Sequence, residues 1–186
     1  FFPIKYENKF SISCVRMRTV SDFSQLPATI KDLPFILDEF KAGSENGNFS
    51  KDFLNSKLAK TLEKQLRELF SRQELGDQAG HYFYILARES DGRRVGFIWL
   101  MITPDPDNQP ILEIRAICIT KQFRNKGLGA VMLDEWLEAY PHHPFQAKCF
   151  QRSTRTIEML KRRGFYVHNT SPTGRQLLVR NRLVTI

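Results

Sequence analysis

The residues Arg124-Asn-Lys-Gly-Leu-Gly129 have the types and spacing to hold a phosphate. Arg124 and Lys126 bring positive charge. Gly127 and Gly129 allow a backbone to approach a ligand with no Cβ in the way. The chemistry depends on what flanks them. Ile114 to Ile119 is a short apolar, β-branched run that reads as a strand. From Leu128 onward, Val131, Met132 and Trp136 fall at helical spacing, with Leu133, Leu137 and Tyr140 beside them. A glycine-bearing basic loop at a helix N-terminus offers unpaired backbone N–H groups and the positive end of the helix dipole, which together favour an anion.

Two well-known phosphate loops do not fit. A P-loop needs Gly-Lys-Ser/Thr, whereas Gly129 is followed by Ala130 and Val131. A dinucleotide fingerprint wants a third glycine where Met132 stands, within a βαβ unit that the pattern lacks. The remaining pattern is Arg/Gln-x-x-Gly-x-Gly/Ala, filled by Arg124, Gly127 and Gly129. It resembles the acetyl-CoA loop of the GNAT superfamily of N-acetyltransferases.

The elements around this loop support the resemblance. A strand is expected at residues 10–18. Phe23, Leu26 and Ile30 suggest a helix with Ser21 as cap, which Pro27 limits to a short or distorted one unless the proline lies in its first turn, and residues 32–40 suggest another with Pro34 at its start. Residues 43–50 read as a loop. An amphipathic helix follows from about Asp52 to Glu74, with Leu58, Leu62, Leu66, Leu69 and Phe70 as its apolar stripe. Strands are expected at 81–88 and 94–103 around Ser90-Asp-Gly92, a hairpin signal. A turn-rich segment, Pro104 to Pro110, leads into the strand before the glycine loop. After the focal helix and the break Pro141-His-His-Pro144, a strand at 145–150, a helix at 153–163 stopped by Gly164, and a last hairpin around Thr170–Gly174 complete the chain.

That order is the GNAT order. It implies an α+β fold: a mixed, mostly antiparallel twisted sheet of about seven strands flanked by helices. The expectation is one domain over residues 1–186 with an enlarged helical region at about 20–75. By resemblance, backbone groups at Ile117, Cys118 and Ile119 line the pantetheine arm. Arg124, Asn125, Lys126, Gly127, Leu128, Gly129 and Ala130 hold the pyrophosphate. The helix carrying Ser153 and Thr156 flanks the far side of the cofactor. The family's second landmark, a helix ending in Gly-Phe, matches Gly164-Phe165. Ser153 stands for its Asn, Thr156 for its Ala and Leu160 for its Tyr. In many relatives that Tyr protonates the leaving thiolate, which Leu160 cannot do. Cys149, Ser153, Tyr140 and His143 are substitutes by neighbourhood.

The implied reaction moves an acetyl group from acetyl-CoA directly to a primary amine, with no metal. A thiol titrating near roughly 8.5 is a fair leaving group at pH 7. The amine is harder. A lysine with pKa about 10.4 is neutral in roughly one molecule in 2,500 at pH 7, a cost near 4–5 kcal/mol, whereas an α-amine near 7.8 is neutral in about one in seven. A lysine acceptor therefore needs a base. Glu113, which starts the strand eleven positions before Arg124, matches the general base of the histone acetyltransferase branch. The alternative is a charged strand residue paired with Arg115.

Composition sets the remaining bounds. The chain has 186 residues with 15 phenylalanines, enough for one substantial core. Its net charge of +8 suits ordinary basic surface, a polyanionic cofactor or a nucleic-acid partner. Nucleic acid gains no support from motif. No window has the apolar length of a membrane span. Phe1-Phe-Pro-Ile has neither the basic nor the apolar stretch of a secretory leader, and the missing initiator Met implies that the natural start lies upstream. Cys14, Cys118 and Cys149 are scattered, without disulfide or metal spacing, as in a reducing cytoplasm. The acceptor, a small molecule or a protein, is not named by the sequence, nor is an oligomeric state. A GNAT-fold protein that binds CoA or a partner without catalysis is the alternative that Leu160 keeps open, and an RNA-directed protein is a third.

Overall fold

The structure, a computed structural model, describes residues 22–77, 80–105 and 108–181. The strand expected at 10–18, Ser21 and Cys14 lie outside them. Seven strands form one sheet: β1 (Phe23–Pro27), β2 (His81–Arg88), β3 (Arg94–Pro104), β4 (Pro110–Ile119), β5 (Phe145–Cys149), β6 (Tyr166–Thr170) and β7 (Gln176–Arg180), in the spatial order β1-β2-β3-β4-β5-β7-β6. All neighbours are antiparallel except β4 and β5. The four α-helices are α1 (Leu33–Glu45), α2 (Ser56–Glu74), α3 (Leu128–Ala139) and α4 (Thr154–Lys161).

Each face of the sheet has its own core. On one side, Leu112, Ile114, Phe145 and Ala147 pack with Met132, Leu133 and Trp136 of α3 and with Ile157 and Leu160 of α4. On the other, Phe83, Ile85, Phe97, Ala116 and Cys118 pack with Ile36 and Phe40 of α1 and with Leu66 and Phe70 of α2. A fully buried side chain of this size contributes about 1.5–3 kcal/mol relative to exposure, so these two layers fix the strands between them.

Three expectations need correction. The segment holding Phe23, Leu26 and Ile30 is not a helix. It is the edge strand β1, paired with β2 from Phe23↔Arg88 to Pro27↔Tyr84, followed by a 3-10 turn at Ile30–Asp32. Its inward position is Gln25, 2% exposed, while Leu26 faces out at 47% exposed. Gln25 is satisfied: its Nε2 donates to Met132 O at 3.2 Å and to Glu135 Oε2 at 2.6 Å, and its Oε1 accepts from Trp136 Nε1 at 3.2 Å. Second, α1 runs on to Glu45, so residues 43–45 are helical rather than loop. Third, α2 begins at Ser56, where Asn55 Oδ1 accepts from the amides of Lys57 and Leu58. Residues 51–54 before it form a separate 3-10 turn. The buried stripe of α2 is consequently Leu66, Phe70 and Gln73, and Leu58 is exposed.

Candidate active-site cleft

The parallel pairing of β4 and β5 lasts only three residues, Leu112↔Phe145, Glu113↔Gln146 and Ile114↔Ala147. Beyond Ile114 the strands part. A bulge sits at that point: Trp99 of β3 opposes Ala116 and Leu100 opposes Ile114, which leaves Arg115 as the extra residue. The gap opens into a cleft of about 1130 Å³. Its walls are β4 from Ile114 to Ile119, the loop and start of α3, and β5 continuing into α4. Gly43, Asn48 and Phe49 form a lip over one side. Phe49 packs so closely on α1 that a Cβ at Gly43 would lie 2.3 Å from its ring.

The glycine loop is built as the residue types suggest. Gly127 is the N-cap of α3 with φ of 77°, and Asn125 also has a positive φ of 64°. Gly127 O accepts from the amides of Ala130 and Val131. The amides of Leu128 and Gly129 come before the first helical hydrogen bond and are available to a ligand. Arg124 folds back, its Nε donating to Ile119 O at 2.8 Å. Gly129 presents its Cα–H to Ile119 and Met159.

The structure brings Ile117, Cys118, Ile119, Arg124, Asn125, Gly127, Leu128, Gly129, Ala130, Ser153 and Thr156 to this one cleft. Lys126 is not among its lining residues; its Nζ lies over the Phe123 ring, 5.3 Å from the centroid. Ser153 caps α4 without a side-chain bond to that helix, and its Oγ donates to Asn48 O at 3.4 Å, joining α4 to the lip. Leu160, where the resemblance places a tyrosine, is 1% exposed and lines the cleft from within the core. Of the substitute acids, Cys149 and Ser153 reach the cleft, while Tyr140 stacks on Trp136 instead. Burial pushes the Cys149 thiol up to about 11. The Cys118 thiol is also raised, by burial first and then by the Glu39 carboxylate 3.3 Å from its sulfur.

Glu113 lies directly behind the cleft wall, 2% exposed. Both of its oxygens are engaged. Oε1 accepts from Arg115 Nη1 at 2.8 Å; Oε2 accepts from Gln146 Nε2 and Lys148 Nζ, each at 3.0 Å. Gln146 is held in turn by Thr103 Oγ1 at 3.0 Å. Lys148 and Gln146 went unrecognised as site residues in the sequence. Their signal is the period of Phe145-Gln-Ala-Lys-Cys149, which sets both polar residues on the face opposite Phe145 and Ala147.

The cleft's electrostatics suit a polyanion. Among the described residues, Arg124, Arg152, Arg155 and Arg162 line it without a carboxylate partner, while Arg163 is paired with Asp134 across two hydrogen bonds. Free amides, a helix dipole and four guanidiniums without carboxylate partners are features that favour an anion such as phosphate.

The fold is that of the GNAT acetyltransferases. Residues 49–165 match the Acetyltransferase (GNAT) family, and the chain belongs to that family. No curated protein sequence matches the chain. Solved structures share the fold at low identity. PaiA N-acetyltransferase from Thermoplasma acidophilum, in complex with coenzyme A, is 14% identical with a TM-score of 0.66, covering 86% of this chain and 98% of its own. RimL, a ribosomal L7/L12 alpha-N-protein acetyltransferase in complex with coenzyme A, is 10% identical with a TM-score of 0.67, covering 90% and 98%. Ribosomal-protein-S5-alanine acetyltransferase from Vibrio fischeri is 14% identical with a TM-score of 0.60, covering 89% and 96%.

Proposed function

We propose that this chain is an acyl-CoA N-acyltransferase that moves an acetyl group from acetyl-CoA directly to a primary amine. The observation that carries this reading is the cleft between the parting strands, which ends on the free amides of Leu128 and Gly129 and is rimmed by unpaired arginines. The start of α3 binds the pyrophosphate. Arg124, Arg152, Arg155 and Arg162 neutralise the remaining phosphate charge. The open edges of β4 and β5 orient the extended arm and point the thioester toward Arg115 and Lys148. Because acyl-CoA and reduced thiols belong together there, we place the protein in the cytoplasm.

In the reaction the amine nitrogen forms a bond to the acyl carbon, the carbon–sulfur bond breaks, and the sulfur leaves as thiolate. One amine proton must go elsewhere. Glu113 is the group we assign to accept it, directly or through water, since it is the carboxylate nearest the point where the strands separate. The Arg115 and Lys148 cations beside it also stabilise negative charge developing at the carbonyl oxygen and the sulfur. They take over part of what a tyrosine at position 160 would supply.

A second reading rests on Leu160 itself: a buried aliphatic side chain where the resemblance places the acid fits a CoA-binding protein without turnover. Coenzyme A-thiol release across a panel of amines separates the two. Release above the amine-free rate with any acceptor supports transfer. Binding of acetyl-CoA with no release across the panel supports the silent form.

A further inference from the structure

We infer that the acceptor carries an anionic group, carboxylate or phosphate, close to its amine, and that Arg115 and Lys148 recognise it. This rests on the acyl-transfer reading above and names the acceptor class for the same site.

Arg115 and Lys148 both line the cleft where β4 and β5 separate, with side chains 37% and 51% exposed. Glu113 does not line it. The wall that an acceptor meets is therefore cationic, with its one partner carboxylate buried behind. Two cations against one carboxylate leave a surplus positive charge. The surroundings do not cancel it. The Arg115 guanidinium lies over the Trp99 ring, 5.7 Å from its centroid, and Trp99 Nε1 meets His81 Nδ1 at 3.4 Å. His81 is held below its ordinary pKa by burial first, then by Arg115 and Arg72, and stays neutral. Glu39 is directed at the Cys118 sulfur and pairs with neither Arg115 nor Lys148.

The donors are only partly used. Of five guanidinium N–H groups on Arg115, the carboxylate engages Nη1, and of three ammonium donors on Lys148 it engages one. The exposed sides of both groups converge on the cleft and can grip a second anion. Such an anion also competes with Glu113 for the same cations. Its arrival loosens both ion pairs on Glu113 and frees that carboxylate to take the amine proton. The site thereby couples recognition to activation: an amine with a neighbouring anion switches on its own base. A polycationic acceptor such as a polyamine meets like charge and leaves Glu113 locked.

The test uses matched acceptor pairs with saturating acetyl-CoA for turnover and with CoA for binding. The pairs are β-alanine against β-alaninamide, phosphoethanolamine against ethanolamine, and the peptides Ala-Asp-Asp-Gly against Ala-Asn-Asn-Gly, with spermidine as cationic control. Turnover is read as thiol release, and binding as a change in tryptophan fluorescence, since Trp99 lies against Arg115 and the other tryptophan, Trp136, is fully buried. In at least one pair the anionic member should be preferred about tenfold or more, and the pair that responds tells small carboxylate, phosphate and peptide carboxylate apart. Lys148→Gln should erase the preference, Lys148→Arg should keep it, and Lys148→Glu should invert it toward spermidine. Lys148 is half exposed; the melting temperature without ligand verifies that each variant folds, and the melting shift with CoA verifies an intact cofactor site. No pair favouring its anionic member, or a preference untouched in Lys148→Glu, overturns the inference. If CoA itself gives no melting shift in the wild type, the acyl-transfer reading falls instead.

Discussion

Arg155, in the first turn of α4, donates through Nη1 to Asn125 Oδ1 at 2.8 Å. This single bond fastens α4 to the loop that precedes α3, and it bridges the open cleft. Asn125 needs such a hold because its φ of 64° is unfavourable for a residue with a side chain. Arg155→Ala should therefore weaken CoA binding about three- to tenfold, the effect of one charge-assisted hydrogen bond at a partly exposed site. The melting temperature without ligand should stay nearly constant. Isothermal titration of both proteins with CoA measures the difference, and equal affinities would detach Arg155 from the site.

Position 129 offers a graded steric test. A Cβ there would stand 3.4 Å from Ile119 Cγ1 and 3.9 Å from Met159 Sδ, which is ordinary contact. Gly129→Ala should fold and bind. Gly129→Val adds two methyl groups between loop and cleft and should lose the ligand. With CoA at about 100 times its dissociation constant, wild type and Gly129→Ala should each gain roughly 2.7 kcal/mol of stability, read as a melting shift. Normal binding by Gly129→Val would move the phosphate site elsewhere.

For Glu113→Gln, CoA should still raise the melting temperature, because the residue lies behind the wall rather than in it. Turnover with an active acceptor should fall by about 10²–10⁴, the usual range for losing a general base. The deficit should narrow between about pH 6 and 9.5 as the amine loses its proton unaided. A deficit of equal size across that range would make Glu113 a group that positions Arg115 and Lys148.

Glu135 gives a stability prediction with a definite sign. Its carboxyl is raised to about 7, by burial first, against the lowering effect of the Gln25 hydrogen bond, with Glu138 adding to the rise. Its Oε1 is buried without a hydrogen-bond partner among the described residues, as suits a neutral acid. A raised folded-state pKa means that the folded protein holds this proton more tightly than the unfolded chain does. The contribution is fully present below the unfolded value of 4.5 and is lost as pH rises through about 7. Glu135→Gln should melt a few degrees higher than wild type at pH 8 and about equally at pH 4.5. Thermal denaturation at the two pH values checks this, and a lower melting temperature for the variant at pH 8 would reverse the assignment.

Much of the candidate cleft was legible in local sequence because its geometry is local. A glycine loop between a strand and a helix needs only neighbouring residues, and Arg124 to Ala130 follow that logic apart from the Lys126 side chain. Strand β1 was not legible because its inward residue is the polar Gln25, satisfied by Trp136 and Glu135 more than a hundred residues away, while the apolar Leu26 faces out. The usual alternation was inverted there, and Phe23, Leu26 and Ile30 left a helical spacing in its place. The partners of Glu113 divide along the same line. Arg115 lies two residues away, but Gln146 and Lys148 arrive from another strand through the parallel pairing, which nothing local announces. The lip at Gly43, Asn48 and Phe49 depends on a ring packed against a bare helix backbone, again a long-range fit.

The short join between β4 and β5 has a mechanical meaning. With three paired residues it is the shortest seam in the sheet, and it divides the sheet into two plates, β1 to β4 and β5 to β7, joined along one short edge. An extended ligand lying in the gap would act as a spline between the plates. Backbone amides at the open edges of residues 115–119 and 148–149 should exchange with solvent faster than the rest of the sheet. They should slow together when the gap is filled, and the two plates should then melt as one.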